Sequence, residues 1–489
     1  MTRCSKRSSS RRSIADSTGQ PSRREPTAIG RAQLVFATDD TIVAVATPPG
    51  HGGIGVVRLS GPKAQAIAEV LLGRTRLEPR MATLATLLQT VAGDTERIDQ
   101  VLATSFPGPS SYTGEDVVEL SAHGSPVVLE GIVDAAMRAG ARLAEPGEFT
   151  FRGFLNGRID LVQAEAVADL VNAVTPLQAR LAYDQLDGTL STAIRAIDAT
   201  LFDLIARLEA SLDFPDEGYH FIDRDQAATA IGSITERLEA LLSAGRRGRV
   251  IREGRQVVIV GNPNTGKSSI FNGLVGSGRA IVTNVPGTTR DLVTETIDVN
   301  GVPVRLVDTA GLREIGDAVE VEGVTRARAA LTVADLALLV FDRSRPFEDD
   351  DGQLLAETSS TRRLLVVNKG DLPSAWVSDP LVAAPGRVVQ TSATADGGLE
   401  PLREALAATL SVEEVSRDPV AITNLRHLDL LEQARGGLER AGPAIAAEVS
   451  EEFVVADLQE ARAALEEITG RRTTDDLLRH IFDRFCIGK

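Results

Sequence analysis

Gly261-Asn262-Pro263-Asn264-Thr265-Gly266-Lys267-Ser268 decides the fold of this 489-residue chain. The run fits the pattern G-x-x-x-x-G-K-[ST]. The apolar residues Val257-Val258-Ile259-Val260 before it predict a buried strand, and Ser268-Ser269-Ile270-Phe271-Asn272 after it predict the start of a helix. In that context glycine lets backbone N–H groups curl around phosphate oxygens, and the helix N-terminus adds a favourable dipole. Lys267 would reach the β- and γ-phosphates, and the Ser268 hydroxyl would bind Mg²⁺. Asn264, Thr265, Gly266, Lys267, Ser268 and Ser269 are therefore candidate nucleotide contacts.

Three partner motifs follow in order. Asp308-Thr309-Ala310-Gly311 ends an apolar run, putting an acid near the metal and a glycine N–H toward the γ-phosphate. Asn368-Lys369-Gly370-Asp371 ends another such run. The Asp371 carboxylate can accept from guanine N1–H and N2–H₂. Adenine lacks those donors, and a buried acceptor left unpaired costs about 1–3 kcal/mol, so GTP is favoured over ATP. Ser392-Ala393 fits the loop that supports the guanine carbonyl. Between the first two motifs lies Thr283-Asn284-Val285-Pro286-Gly287-Thr288-Thr289-Arg290-Asp291, in the place of switch I, with Thr289 as second Mg²⁺ ligand. Any one of these is a common surface turn; together, at strand ends and in this order, they specify a GTPase. Leu312 follows Gly311, where a Ras-like enzyme carries the glutamine that orients water. Leucine cannot orient water. Another group must do so, and a further cation must balance charge on the transferring phosphoryl.

Around this site, strands predicted at 256–260, 302–307, 335–341, 363–367 and 387–390 alternate with helices. The pattern predicts a doubly wound α/β sheet with sites at the C-terminal strand ends. Residues 41–139 mix short strands (41–47, 54–61, 101–106, 117–120) with helices (63–72, 126–139), an α+β pattern. Apolar residues at 3- and 4-residue spacing make 160–212 and 225–244 helical, and again 420–447, 451–470 and a last stretch through Phe482. The fold class is thus multidomain. It comprises a disordered basic extension (1–38), an α+β N-terminal domain (39–158), an all-α helical domain in two parts (159–250 and 416–489) and an inserted α/β P-loop GTPase domain (251–415). Arg246, Arg247, Arg249, Arg252 and Arg255 form a basic cluster before the phosphate loop, read as a solvated linker.

Bulk composition sets limits. Hydrophobic content is 43%, which excludes a wholly disordered chain. No apolar run is long enough to span a bilayer, so no membrane role is expected. Cys4 and Cys486 are the two cysteines, which make neither a disulfide framework nor a zinc cluster. Residues 1–38 hold eight basic and two acidic side chains, +6 within a chain total of −16, so the rest carries −22. Such an acidic body is a poor stand-alone nucleic-acid binder. Any RNA work would need a basic partner or a local basic patch. The extension reads as a solvated tail or an over-extended start. Its Arg- and Ser-rich composition also suits a transit peptide, which would place the protein in the mitochondrial matrix rather than the cytoplasm.

The chain resembles the tRNA-modifying GTPases of the MnmE/TrmE family, in the wider Era-like group. The resemblance spans roughly residues 40–489. It is carried by Asp40-Thr41-Ile42-Val43-Ala44, Ser111-Tyr112-Thr113-Gly114-Glu115-Asp116, Pro146-Gly147-Glu148-Phe149, Phe154-Leu155-Asn156-Gly157-Arg158, Gly287-Thr288-Thr289-Arg290-Asp291 and the terminal Phe485-Cys486-Ile487-Gly488-Lys489. It implies a homodimer joined through an N-terminal domain that binds a one-carbon tetrahydrofolate (5-formyl or 5,10-methylene). It also implies an FAD-containing partner of the MnmG/GidA type, forming a heterotetramer, and a tRNA substrate modified at C5 of the wobble uridine with an aminomethyl or carboxymethylaminomethyl group. K⁺ would act in the place of an arginine finger, held by Asn264, Thr283, Val285 and Thr288, and Glu320 would orient water. Folate would meet Arg58, Glu119, Arg158 and Lys489, with Arg158 standing where the family usually has Lys. Unaided, Arg58 and Glu119 read as a cross-strand charge pair. Cys486 in the tail is a candidate catalytic residue, beside Lys267 and Glu320. The alternative reading is an Era- or Der-type GTPase switch in ribosome assembly. Such proteins lack this N-terminal domain and a cysteine-bearing tail.

Overall fold

The computed structural model describes residues 39–91, 94–213, 223–278, 293–308, 330–376, 381, 384–410, 422–447 and 450–489. The first unit runs β1 (Ile42–Val45), β2 (Gly52–Ser60), α1 (Ala64–Leu71), β3 (Thr83–Val91), β4 (Asp94–Phe106), β5 (Val117–Gly124), α2 (Pro126–Arg138), β6 (Arg142–Leu143) and α3 (Glu148–Leu155). Its sheet has the order β3-β4-β5-β2-β1-β6, antiparallel except for the β1–β6 pair. Alternate residues point to one face, so Val57, Leu59, Val118 and Leu120 bury against Ile67 and Leu71 of α1 and Ile132 and Ala136 of α2. The same register makes Arg58 the direct neighbour of Glu119, on the other face.

Next come α4 (Leu161–Val171), α5 (Pro176–Leu186), α6 (Thr189–Asp213) and α7 (Arg224–Glu253). The run predicted over 160–212 is three helices, because the chain carries its own start signals. Asp160 caps α4 through Gln163, and Thr175 with Gln178 forms a capping box for α5, with Pro176 in the first turn. After the α/β unit, α11 (Leu425–Ala446), α12 (Glu451–Ile468) and α13 (Asp475–Phe482) complete the helical domain. One apolar core joins α6 and α7 to α11 and α12, through residues such as Leu201, Ile205, Ile234, Leu238, Leu431 and Leu458. The two helical segments are therefore one body, and the α/β unit is inserted in it.

The inserted unit runs β7 (Arg255–Gly261), α8 (Lys267–Gly278), β8 (Val293–Val299), β9 (Val302–Asp308), β10 (Leu336–Asp342), α9 (Asp349–Glu357), β11 (Arg363–Asn368), β12 (Arg387–Gln390) and α10 (Glu400–Thr409). Its sheet order is β12-β11-β10-β7-β9-β8, parallel except for β8. Every residue of β10 and β11 is buried. That is the signature of a sheet covered on both faces, and separate apolar clusters lie on the two sides.

Three sequence readings are corrected. β3 and β8 were not expected. β8, Val-Thr-Glu-Thr-Ile-Asp-Val, is an edge strand with polar residues between its apolar ones. The arginine cluster is not a linker. Helix α7 continues to Glu253; Arg252 pairs with Asp169, Arg249 with Glu253 and Arg255 with Asp335. Among the described residues no helix is long and apolar enough to cross a membrane.

Candidate functional site

The phosphate loop connects β7 to α8, and its neighbours come from the C-terminal ends of β9, β10, β11 and β12. Asn264 and Gly266 have φ of +63° and +94°, which turn successive N–H groups inward. A Cβ on Gly266 would lie 2.3 Å from the Asn368 Nδ2 atom, so the position demands glycine for space as well as for conformation. Thr265 is fully buried, its hydroxyl donating to the Asn262 carbonyl at 2.9 Å. Lys267 is also buried and donates from Nζ to that same carbonyl at 2.9 Å. Ser268 Oγ donates to Asp308 Oδ2 at 3.0 Å, and Ser269 is exposed beside it. A hydroxyl and a buried carboxylate next to a phosphate loop form a hard-oxygen donor set, which fits Mg²⁺.

The loops after β11 and β12 are built with the same economy. Asn368 donates from Nδ2 to the Thr265 carbonyl at 2.9 Å, and its Oδ1 accepts from the Ala393 N–H at 3.2 Å. One buried amide thus ties the two loops together. Ser392 Oγ donates to Asp371 Oδ1 at 2.5 Å. That hydrogen bond is the main cause of the lowered Asp371 pKa, so the exposed carboxylate is held as an acceptor. Lys369 pairs with Asp342 at 2.6 Å. Burial would raise the Asp342 carboxyl, but Lys369 and Ser344 outweigh it and lower the pKa. Sequence reasoning missed Asp342, although an acid closing the apolar run Leu336 to Phe341 was a usable signal. It also missed Asp351, which accepts from Asn262 Nδ2 at 2.7 Å and steadies the loop from outside. Thr283, Asn284, Val285, Pro286, Gly287, Thr288, Thr289, Thr309, Ala310, Gly311 and Glu320 lie outside the described residues.

A second cluster forms where the C-terminal tail meets the first domain. Arg58 on β2 binds Glu119 on β5 with Nε at 2.9 Å and Nη2 at 2.8 Å. Its guanidinium lies over the rings of Tyr112 and Phe149, 5.2 and 5.7 Å from their centroids. Such contacts hold a partly desolvated cation without a further anion. Arg58 Nη1 also donates to the Gly488 carbonyl at 3.4 Å. The tail is seated by α13: Phe482 packs edge-on against Phe151, centroids 5.2 Å apart, and meets Phe485 at a tilt of 35° with centroids 5.3 Å apart. Gly488 has φ +96°, and a Cβ there would come within 2.2 Å of the Val45 carbonyl oxygen. Lys489 follows it. Burial and then the Arg58 charge lower its pKa, against Glu119 and Cys486. Cys486 is exposed, and its carbonyl accepts from the Gly147 N–H at 3.4 Å. Arg158 is exposed and donates from Nε to the Ser111 carbonyl at 3.2 Å, one residue from Tyr112. Arg58, Glu119 and Lys489 therefore share one corner, while Arg158 reaches the Ser111 carbonyl, next in the chain to Tyr112. The motif Ser111 to Asp116 marks Tyr112 in the sequence, but nothing in it points to a contact with Arg58.

Two family models match the chain: "GTP-binding protein TrmE N-terminus" over residues 41–158 and "MnmE helical domain" over residues 161–486. The chain is 45% identical over 456 residues to the tRNA modification GTPase MnmE of Koribacter versatilis, covering 92% of this chain and 99% of that one. It is 43% identical over 453 residues to the protein of the same description from Nitrosomonas eutropha, with the same coverage. Among solved structures, the G domain of the T. maritima FeoB iron transporter is 27% identical, covers 32% of this chain and 98% of that one, and gives a TM-score of 0.25. Matched by both family models and by relatives that it covers almost end to end, the chain belongs to the MnmE family of tRNA modification GTPases.

Proposed function

We propose that this protein is a K⁺-stimulated GTPase that helps modify C5 of the tRNA wobble uridine, using a one-carbon tetrahydrofolate and an FAD-containing partner. The coarser part, a GTP-hydrolysing enzyme of tRNA modification, follows from family membership. The observation that carries the reading is the convergence at the C-terminal ends of one sheet's strands of Lys267, Ser268, Asp308, Asn368, Asp371 and Ser392. In this scheme the loop amides and Lys267 hold the phosphates, while Ser268 and Thr289 hold Mg²⁺, which offsets phosphate charge when bound. Asp371, kept ionised and oriented by Ser392, accepts from guanine. Asn264 is the described member of the K⁺ set, and Glu320 positions the attacking water.

The corner built from Arg58, Glu119 and Lys489 supports the folate half of the reading. A carboxylate can accept from the pterin's ring N–H and amino groups. The neighbouring cations suit the negatively charged tail of the same molecule. Cys486 is the candidate nucleophile at its rim. The test has two arms. Nucleoside analysis of tRNA from cells lacking the gene should show loss of the C5 wobble modification; unchanged tRNA would refute the role. GTP hydrolysis by the purified full chain should be faster in K⁺ than in Na⁺, and equal rates would remove Asn264 from an alkali-ion site.

A further inference from the structure

Helix α4 touches both ends of the molecule's chemistry. Along one face Leu161, Ala164 and Val167 pack with Phe151, Leu478, Ile481, Phe482 and Phe485, the apolar bed of the tail that bears Cys486. On the neighbouring face Glu165 and Asp169, one turn apart, hold the two places where the chain passes between the helical domain and the GTPase domain. At the outgoing passage Arg252 donates to Asp169 Oδ1 from Nη2 at 2.7 Å and Nε at 3.0 Å. At the return, Glu165 accepts from Asn424 at 3.0 Å, from Arg426 at 3.1 and 2.8 Å, and is bound to His427 Nε2 at 2.6 Å.

Burial alone would raise the Glu165 carboxyl, but His427 and Arg426 hold it at about 2. Burial lowers the pKa of His427 against the pull of Glu165, which raises it, and Arg426 is a permanent cation beside the same carboxylate. A buried ionic cluster is costly to assemble and more costly to break at one partner, which fixes a single geometry.

Helix α5 continues the connection into the GTPase domain. Thr175 Oγ1 donates to the Gly301 carbonyl at 2.8 Å, and Gln178 Nε2 donates to the carbonyls of Ile251 and Arg252 at 2.9 and 3.1 Å. Leu181 belongs to the core beneath β7 and β9, and Leu177 packs on it. Hydrogen-bonded to both chain passages on one side and packed against the tail's apolar bed on the other, α4 joins the junction and the tail as one rigid piece.

We propose that α4 is the positioning element by which nucleotide-dependent movement of the GTPase sheet reaches the Cys486 tail, with Glu165 and Asp169 coupling both chain passages to it. Its functional consequence rests on the reading of the tail as part of the modification site. The mechanical claim does not.

The test uses the full chain with Cys4→Ser, so that Cys486 is the single thiol, and measures iodoacetamide alkylation of Cys486 with GDP and with a non-hydrolysable GTP analogue. The two nucleotides should give rates differing by roughly threefold or more. Glu165→Gln and Asp169→Asn should bring the ratio close to one while leaving GDP affinity unchanged. Ile194→Val, a core substitution outside the cluster, should keep the ratio. Should Glu165→Gln fail to fold, the milder Asp169→Asn decides. The proposal is overturned by a parent protein whose alkylation ignores the nucleotide, or by cluster variants that retain the full ratio. Intact tRNA modification by Cys486→Ser would remove the chemical role of the tail while leaving the alkylation result standing.

Discussion

The nucleotide site and the tail site are built in opposite ways. The first gathers short loops from the ends of neighbouring strands in one sheet, so each contact is placed by the strand that feeds it. The second joins Arg58 to Gly488, the two being 430 residues apart, and depends on α13 docking its aromatic residues against α3. A site made of loops on one scaffold tolerates change elsewhere in the molecule. A site made by docking is only as well formed as the dock. The two should therefore fail separately, and α4 is the place where they should fail together.

Lys267→Ala gives the largest expected effect. GTP hydrolysis should fall roughly a hundredfold or more, since the phosphates lose their cation. Binding of 5-formyltetrahydrofolate, measured by calorimetry on the same protein, should stay unchanged. Parallel loss of folate binding would show that the two sites are not separate. Asp371→Asn comes next. It should weaken GTP binding about 10- to 100-fold, the range for a hydrogen bond to a charged acceptor, and improve binding of the xanthosine nucleotide. If GTP titrations are indistinguishable from the parent, Asp371 is not the guanine acceptor.

Gly488→Ala probes the other side. Its Cβ would press on the Val45 carbonyl and unseat Lys489. Folate affinity should drop about tenfold, the loss of one charged contact, with GTP turnover intact. A tail variant that slows GTP hydrolysis would break the comparison in the reverse direction.

The smallest effect concerns acid stability at the junction. The Glu165 pKa falls from 4.5 to about 2 on folding, so its contribution is present above the unfolded value and is lost as pH falls toward 2. Melting temperature should decline through this window, and Glu165→Gln should flatten that decline. A parallel decline in the two proteins would mean that other carboxylates dominate.

What could be read in the sequence follows the same division. Apolar runs such as Leu364 to Val367 announce a strand, and the polar residues just after them announce a site. That local grammar gave the α/β unit and its loops. It gave nothing for β3, whose edge position leaves Leu84 and its cross-strand partner Leu102 exposed and so blurs the alternation. It misread the arginines near residue 250, because charge alone does not reveal Asp169, 83 residues earlier, as a partner for Arg252. Arg58 and Glu119 were legible as a cross-strand pair. That the tail's Gly488 carbonyl accepts from Arg58 was not, because no periodicity encodes a contact across the whole chain.

The closeness of Gly266 to the Asn368 amide has a further consequence. With no room between them, the loop after β7 and the loop after β11 form one stiff unit, and neither can relax alone. A nucleotide with the wrong base would then be penalised twice, once where its edge goes unread and again in a slackened hold on its triphosphate.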